Sequence, residues 1–279
     1  MYKPYIMNDV LEASSKELFT VISTFAGGGG SSTGYRLSGG KILCVNEFVQ
    51  SAVDTYGANY PNTPILDDDI KKLTGEDFLR VAQIQKGELD ILDGSPPCSA
   101  FSVAGKLSHS SGGKHSDGWG KTKSYSDGMM VENIEDLFFE FLRVANDIKP
   151  KVIVAENVAG LTIGEAKEYY NKILNEFEKI GYDVCSQVMN SKNYGVSQTR
   201  TRVIFIGIRN DITEKVGLNF MTIQNVFPEP SDKIIPLKEA LEGLEYNPEE
   251  IKELTEKFVN TAYWKDTGSK MPKDPDKVL

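Results

Sequence analysis

Short apolar runs recur along this chain and alternate with segments of helical periodicity. The strands that these runs predict cover residues 19–25, 41–45, 89–93, 152–155, 182–189 and 203–208. Strands that alternate with helices are typical of a mostly parallel sheet that is buried on both faces. The pattern therefore predicts an α/β fold of the doubly wound type, with three layers.

Three predicted helices lie between these strands. Residues 50–56 have helical character, and residues 134–145 place apolar side chains at three- and four-residue spacing. Residues 166–180 form the third helix, with Gly181 as its stop signal, and Pro150 ends the second. In such sheets ligands bind beyond the carboxyl ends of the strands, so the residues that follow each strand are the candidates for function.

Four consecutive glycines, Gly27 to Gly30, follow the first strand. Glycine removes side chains where the backbone must approach another molecule closely, and we expect Ser31 and Ser32 to cap the next helix. The loop has neither the Gly-Lys-Ser/Thr of a phosphate-binding loop nor a clean Gly-x-Gly-x-x-Gly pattern, so diphosphate binding has no specific support. The sequence predicts a loop for a nucleotide-like cofactor.

Acidic residues follow at the next two loops. Glu47 comes roughly 20 residues after the glycine loop, where a carboxylate can accept both hydroxyls of a ribose. The alternative is that Glu47 only caps the next helix. Asp67, Asp68 and Asp69 precede Ile70, and we expect one of them to accept a hydrogen bond from an adenine amino group while the other two stay in solvent.

Cys98 follows an apolar strand and ends the sequence Gly-Ser-Pro-Pro-Cys. Glycine and two prolines cannot continue a strand, so the backbone must turn sharply and stiffly at the thiol. The alternative is a small buried apolar cysteine, which is the commoner case for a cysteine without context. A core thiol needs neither a rigid turn nor a polar, glycine-rich continuation, so the context favours a nucleophile.

Two further polar groups flank strands. Glu156 lies at the mouth of the apolar strand at residues 152–155, where desolvation favours the neutral carboxylic acid, which can act as an acid. Arg200 and Arg202 precede the strand at residues 203–208 and share one side if the segment is extended. Two cations could hold anionic or carbonyl groups of a substrate. The alternative is a strand edge that is protected by charge.

Composition limits the class of protein. The 279 residues are 40% hydrophobic, with 40 acidic against 31 basic side chains and three separated cysteines. This predicts a globular, cytoplasmic protein with reduced thiols, no membrane segment and no structural zinc. A net charge of −9 argues weakly against a free-standing nucleic-acid binder. His109 and His115 lack companions at ligand spacing, so we expect no metal.

In chain order, these segments resemble the cytosine C5 DNA methyltransferase family. Residues 25–30 are similar to its S-adenosylmethionine motif, and residues 94–98 to its Pro-Cys nucleophile motif. Residues 156–158 match its Glu-Asn-Val, and residues 198–202 match its Gln-x-Arg-x-Arg. Each motif alone is weak, but four in the family's order are highly specific.

The resemblance implies a Rossmann-like methyltransferase fold and covalent catalysis on cytosine. The Cys98 thiolate would add to C6 of the ring, so that C5 attacks the methyl group of S-adenosylmethionine. Glu156 would act at ring N3 and Arg202 at the O2 carbonyl, while Arg200 or Arg202 would favour ionisation of the thiol. Loss of the C5 proton and elimination of Cys98 would release the product.

The resemblance also implies the substrate and the residues that would contact the substrate and the cofactor. Double-stranded DNA would supply a flipped-out cytosine, and residues 99–131, rich in Ser, Gly and Lys, would close over it. Ser99, Asn157 and Gln198 are expected to contact substrate or support the site. The residues expected to hold S-adenosylmethionine, and S-adenosylhomocysteine after transfer, are Phe25, Ala26, Gly27, Gly29, Gly30, Glu47, Asp69, Ile70, Asp93 and Pro97.

The C-terminal part departs from the family pattern. We expect residues 1–215 to form the catalytic domain and residues 216–279 to begin a connection to a target-recognition domain, with short helices at residues 236–244 and 248–260. The family's recognition region, Gly-Asn-Ser-Val segment and closing helix are not found. A truncated chain or a second chain that supplies recognition is therefore expected, and residues 1–279 alone should bind S-adenosylmethionine weakly and methylate DNA poorly.

Two alternatives stay open from the sequence. One is a related enzyme that methylates cytosine in tRNA, and the other is a non-catalytic S-adenosylmethionine-binding partner of another chain. In the DNA interpretation, the protein would belong to a bacterial or phage restriction–modification context, in the cytoplasm near the nucleoid.

Overall fold

The apolar runs form one seven-stranded sheet in a computed structural model, which describes residues 5–97, 123–124, 130–131, 136–164, 166–219 and 221–241. The strands of this sheet are β1 Phe19–Thr24, β2 Gly40–Asn46, β3 Ile65–Leu66, β4 Ile91–Gly94, β7 Val152–Val158, β8 Tyr182–Asn190 and β9 Thr201–Arg209. A separate two-residue antiparallel ladder joins β5 Lys123–Ser124 to β6 Met130–Val131.

The strand order of the large sheet is β3-β2-β1-β4-β7-β9-β8. Neighbouring strands are parallel from β3 to β7, whereas β9 is antiparallel to both β7 and β8. The predicted mostly parallel, doubly wound sheet is confirmed, and the single reversed strand was not predicted. The chain passes from β1 to β2 on one side and returns to β4 on the other, which creates a crevice at the carboxyl ends of β1 and β4.

Helices cover the sheet and link its strands. They are α1 Met7–Ser14, α2 Gly30–Leu37, α3 Gln50–Asn59, α4 Gly75–Ala82, α5 Asp136–Ile148, α6 Ala166–Lys179 and α7 Asn210–Val216. A further short helix, α8 Leu237–Leu241, comes later in the chain. Short 3₁₀ helices follow at Ala159–Thr162, Ser191–Tyr194 and Ile223–Val226. The predicted helices correspond to α3, α5, α6 and α8, while residues 248–260 lie outside the described residues. No helix within the described ranges is long and apolar enough to cross a membrane.

Strand alternation divides the core into two faces. Val21 and Ile91 pack with residues of α1 and α3, whereas their neighbours Ile22 and Leu92 pack with α4, α5 and α6. This follows from the two-residue period of a strand, which sends successive side chains to opposite faces. A third cluster around Ile208 covers the outer end of the sheet. The predicted three layers are therefore present.

The chain divides into two units. The larger consists of Tyr5–Asn190 with Thr201–Glu229, and the smaller of Met1–Pro4, Ser191–Arg200 and Pro230–Leu279. The larger unit carries the whole seven-stranded sheet and continues past residue 215. The predicted functional division at that residue stays a prediction.

Close packing explains why glycine occupies one position in the middle of β9. A Cβ atom at Gly207 would lie 2.6 Å from the Cδ1 atom of Phe177, well inside van der Waals contact. The Phe177 ring is fully buried and stacks on Phe205, so it has no space to retreat.

We therefore predict that Gly207→Ala lowers the free energy of unfolding by about 1–3 kcal/mol, because it overpacks the core. The matched control is Gly57→Ala in α3, where the nearest atom to the added Cβ is 3.9 Å away. That variant should gain up to about 1 kcal/mol from helix propensity. Urea denaturation measures both, and equal stabilities of Gly207→Ala and the unmodified chain would contradict this packing account.

Candidate active site

The sheet brings most of the predicted functional segments to one edge. The parallel strands β1, β2, β4 and β7 all end there, and the reversed strand β9 begins there, with Arg202 opposite Val158. The glycine loop, Glu47, the turn after Gly94, and Glu156 all lie at strand ends on this edge. Arg202, near the start of β9, lies at this edge because β9 runs in the opposite direction to β7.

The glycine loop starts with a backbone that few residues adopt. Phe25 has a φ of +53°, in the left-handed region, and Gly29 follows with a φ of +95°. A bulky residue in this region costs on the order of 1–3 kcal/mol, which is typical of functional sites. A hydrogen bond also joins the loop to the end of β2, because the backbone NH of Ala26 donates to the carbonyl of Asn46 at 3.1 Å.

The two serines after the loop do not cap α2, so that prediction is wrong. Gly29 occupies the N-cap position and makes no side-chain cap. Ser31 instead donates its hydroxyl to Asp93 at 2.8 Å. The hydroxyl of Ser32 is buried and has no hydrogen-bond partner among the described residues. Glycine at the cap leaves the first amides of α2 without a side-chain acceptor.

Glu47 holds the glycine loop and the start of α3 together. Its Oε1 atom accepts hydrogen bonds from the backbone NH groups of Phe48 and Val49, and its Oε2 atom accepts one from Gly27, all at 2.9 Å. A carboxylate has about four acceptor positions, so one remains at Oε2. Glu47 thus supports the next helix and still keeps capacity for a ligand hydroxyl.

A pocket opens beside this carboxylate. Its lining residues are Phe25, Asn46, Glu47, Phe48, Asp69, Ile70 and Leu137. Four of the residues predicted to contact the cofactor therefore line one pocket. Asp67 and Asp68 are exposed while Asp69 is half-buried, as expected for the acidic run.

Sequence reasoning missed the role of Asn46 in this pocket. Its Nδ2 atom donates to the carbonyls of Leu66 and Asp68, both at 2.8 Å, and so places the loop that carries Asp69. The side chain is buried. A polar residue at the end of an apolar strand, directly before the candidate Glu47, was the available signal.

Asp93 lies at the end of β4, and its carboxylate is occupied by three hydroxyl groups. Ser23 and Ser31 donate to Oδ2 at 2.8 Å, and Tyr35 donates to Oδ1 at 3.1 Å. Burial raises the pKa of Asp93, and the negative charge of Glu156 acts in the same direction, while the three hydrogen bonds oppose them. Its predicted contact with the cofactor stays a prediction.

The turn toward the predicted nucleophile is described as far as Pro97, and Cys98 and Ser99 lie outside the described residues. Asn157 of β7 supports this turn by donating its Nδ2 to the carbonyl of Pro96 at 3.2 Å. Its Oδ1 accepts from the backbone NH of Val158 at 2.8 Å. Asn157 is buried and therefore fixes the turn from the neighbouring strand.

Glu156 and Arg202 form an ion pair across β7 and β9. The Arg202 Nε atom lies 2.7 Å from Glu156 Oε1, and the two side chains are only 27% and 26% exposed. Their positions are diagonal in the antiparallel ladder, so they share one face. Because β9 lies between β7 and β8, the alternative that these arginines protect a sheet edge is wrong for Arg202.

Arg200 and Gln198 belong to the smaller unit. Within it, the Ser191 hydroxyl donates to the carbonyl of Gln198 at 2.5 Å, and the backbone NH of Arg200 donates to that hydroxyl at 3.2 Å. These contacts close a short loop. The predicted roles of both side chains stay predictions.

Candidate metal ligands are sparse in the part of the chain that the structure describes. No group of three or more His, Cys, Asp or Glu side chains there could hold a metal ion. His109 and His115 lie outside the described residues.

The burial of Asp93 predicts a specific pH dependence of stability. In the folded chain, burial raises the pKa of Asp93 above its ordinary value of 3.8. The folded state therefore holds the proton of the Asp93 carboxyl group more tightly than the unfolded state does. The free energy of unfolding should then fall as the pH rises from about 4 through the raised value, by at most about 1.4 kcal/mol per pH unit.

Asp93→Asn removes this titration, so urea denaturation between about pH 4 and about pH 7 should show a flatter profile for the variant. Glu156 on β7 and the hydroxyls of Ser23, Ser31 and Tyr35 surround position 93 in both proteins. A difference between the two profiles that does not vary with pH would contradict the assignment.

Comparison with known proteins identifies the family. A family model described as C-5 cytosine-specific DNA methylase matches residues 19–274. The Type II methyltransferase M1.HphI of Haemophilus parahaemolyticus is 34% identical over 212 residues, which cover 76% of this chain and 49% of that protein. M.NgoPII of Neisseria gonorrhoeae is 32% identical over 229 residues, with coverages of 77% and 58%.

These relatives are longer, and this chain spans about half the length of the curated relatives it matches. Among solved structures, a candidate DNA modification methyltransferase encoded within an Escherichia coli prophage superposes with a TM-score of 0.61 at 24% identity, covering 82% of this chain and 56% of that one. The Dnmt2 methyltransferase of S. pombe gives 0.53 at 17% identity, with coverages of 82% and 62%.

The two structural likenesses show a shared fold, and the family model covers the glycine loop, the pocket residues and the Glu156–Arg202 pair. The chain belongs to the C-5 cytosine-specific DNA methylase family.

Proposed function

We propose that this protein transfers a methyl group from S-adenosylmethionine to C5 of a flipped-out cytosine in double-stranded DNA. The observation that carries the proposal is the half-buried Glu156–Arg202 pair, which shares a sheet edge with the glycine loop and its pocket. The Type II names of the relatives support a restriction–modification role, exercised in the cytoplasm on bacterial or phage DNA. The family description names DNA, so the tRNA alternative is not favoured.

The residues of the pocket suit S-adenosylmethionine. Glu47 keeps one acceptor position for a ribose hydroxyl, and Asp69 can accept from an adenine amino group beside Ile70. An added Cβ at Gly27 or Gly30 would meet nothing within 4 Å, so there is open space beside these two glycines.

The buried Ser32 hydroxyl at the start of α2 also fits a polar ligand. It has no partner in the described part of the chain, and a buried hydroxyl without a hydrogen bond is costly. S-adenosylmethionine, when bound, supplies an electrophilic methyl group on a sulfonium sulfur.

Cys98 would make the cytosine ring reactive. Its thiolate adds to C6, so that electron density at C5 can form a bond to the methyl carbon as the carbon–sulfur bond of the donor breaks. The C5 proton then leaves to solvent, and the bond between C6 and the sulfur of Cys98 breaks to restore the aromatic ring. Asn157 contributes by fixing the turn that presents this cysteine.

Glu156 and Arg202 would stabilise the charge that develops on the ring. Glu156, once it has taken up a proton from solvent, can donate that proton or a hydrogen bond at N3 as the thiolate adds, and the guanidinium of Arg202 can reach the O2 carbonyl. Their ion pair orients both groups before the base arrives, so little reorganisation remains for the reaction. Extrusion of the base costs a few kcal/mol. Most of residues 99–131, which are predicted to close over the base, lie outside the described residues.

We predict that the natural full-length protein forms a covalent adduct with duplex DNA that contains 5-fluorocytosine, in the presence of S-adenosylmethionine. Fluorine at C5 cannot leave as a proton does, so elimination of Cys98 stops. Denaturing electrophoresis and peptide mass spectrometry would place the adduct on Cys98. Cys98→Ser is expected to form no adduct, and persistence of the adduct in that variant would show that another residue is the nucleophile.

The Glu156–Arg202 pair gives a second prediction. Glu156→Gln should lower kcat at least about 100-fold with little change in KM for S-adenosylmethionine, since the amide cannot deliver a proton to N3. Steady-state transfer of radiolabelled methyl to DNA measures both constants. The matched control is Glu168→Gln, in an exposed pair with Lys172.

The control should leave both constants unchanged, because exposed pairs contribute little. Full activity of Glu156→Gln would remove Glu156 from the mechanism. Methyl-donor binding without any DNA methylation by the natural full-length protein would instead favour the non-catalytic partner.

A further inference from the structure

Asp93 connects the cofactor loop with the strand that leads to the predicted nucleophile. Its Oδ2 atom accepts hydrogen bonds from Ser31, two residues after Gly29, and from Ser23 on β1, each at 2.8 Å. Five residues further along the chain stands Cys98. One carboxylate therefore touches the segments that would carry the methyl donor and the nucleophile.

The attachment to α2 has two points. Ser31 and Tyr35 are four residues apart, so they lie one above the other on the same face of the helix, and both donate to Asp93. Burial and the adjacent charge of Asp93 raise the pKa of Tyr35 well above its ordinary value, so the phenol keeps its proton and donates. Two contacts one turn apart fix both the height and the tilt of α2 relative to β4.

Neighbouring residues hold the backbone of Asp93. Its carbonyl accepts a hydrogen bond from the hydroxyl of Thr24 at 3.1 Å. At the next residue, Gly94, a Cβ atom would lie 2.6 Å from the ring of Phe141, so strand and helix α5 pack in direct contact there. The carboxylate is thus a fixed point against which α2 is placed.

The position of Asp93 argues against a direct contact with the methyl donor. All three donors are protein hydroxyls, Asp93 is only 6% exposed, and it does not belong to the lining of the pocket beside Glu47. A buried carboxylate is costly unless its hydrogen bonds are satisfied, and here they are satisfied within the protein.

We propose that Asp93 is a positioning residue that sets the location of the cofactor loop relative to the turn bearing Cys98. This inference rests on the proposed function. The distance between the loop and the turn affects a reaction rate only if the loop holds the methyl donor and the turn presents the nucleophile. Group transfer is sensitive to such placement, and an error of about 1 Å can cost on the order of 100-fold in rate.

The test compares Asp93→Asn with Asp90→Asn. Asp90 also joins β1 to the β4 segment, since it accepts from the backbone NH and hydroxyl of Thr20, at 2.8 and 2.9 Å, and pairs with Lys151. It lies near the amino end of β4, away from the site. Both variants weaken a link between β1 and the β4 segment, but only Asp93→Asn also alters the contacts with α2. An effect that is specific to Asp93→Asn therefore reports the positioning role.

In the natural full-length protein, Asp93→Asn should lower the single-turnover rate constant of methyl transfer to DNA about 100-fold. The Kd for S-adenosylmethionine, measured by calorimetry, should change less than about threefold, because the residues that contact the donor are intact. Asp90→Asn should leave both values unchanged. Hydrogen exchange should be faster in Asp93→Asn at residues 27–37 and unchanged there in Asp90→Asn.

Three results would overturn the inference: a rise in Kd that matches the loss of rate, equal effects of the two variants, or an unchanged rate with unchanged exchange. If Asp93→Asn does not fold, Tyr35→Phe removes one of the three donors and should lower the rate in the same direction, with Kd preserved; an unaltered rate would count against the proposal. A wild-type protein that methylates no DNA refutes the proposed function, whereas the exchange comparison still decides whether Asp93 places the loop.

Discussion

The reversed direction of β9 is the constraint on which the candidate site depends. In a purely parallel sheet, a segment that precedes a strand lies at the edge opposite to the ligand crevice. Because β9 is antiparallel to β7, Arg202 at its start meets Glu156 near the end of β7. One antiparallel strand therefore brings a cation to an edge where the other segments supply glycines and carboxylates.

Buried polar side chains then fix the loops at this edge. Glu47 accepts three backbone hydrogen bonds, Asn46 holds the loop that carries Asp69, and Asn157 holds the turn at Pro96. The contacts of Glu47 with Gly27, of Asn46 with Asp68 and of Asn157 with Pro96 each join the ends of two neighbouring strands. Such contacts keep reacting groups in place without reorganisation during the reaction, which is the main electrostatic advantage of an enzyme over water.

The sequence predicted the parts of the fold that depend on local pattern. Strands β1, β7 and β9 are apolar runs, and α5 has a clear helical period that ends before Pro150. The direction of β9 was not predictable in this way, since an apolar strand has the same pattern in either direction. Helix α4 was missed although Thr74 and Asp77 form a capping box ahead of its apolar residues.

For the candidate site, the sequence predicted the segments that lie at strand ends but not the contacts between them. Motifs at strand ends located the glycine loop, Glu47, Asp69 and Glu156, because these positions follow from topology alone. The partners of Ser31 and Asp93 were not predictable, since a contact between residues 62 positions apart depends on how α2 packs on β4. Local rules favoured Ser31 as a helix cap, and the tertiary hydrogen bond to a buried carboxylate outweighed them.

A crystal structure of the chain with S-adenosylhomocysteine would show whether this edge of the sheet holds the methyl donor. We expect the adenosine in the pocket lined by Phe25, Asp69 and Ile70, with a ribose hydroxyl on Glu47 and the sulfur directed toward the turn at Pro96. Ligand density at another place, such as the groove between α5 and α6 beside Phe139 and Lys172, would contradict it.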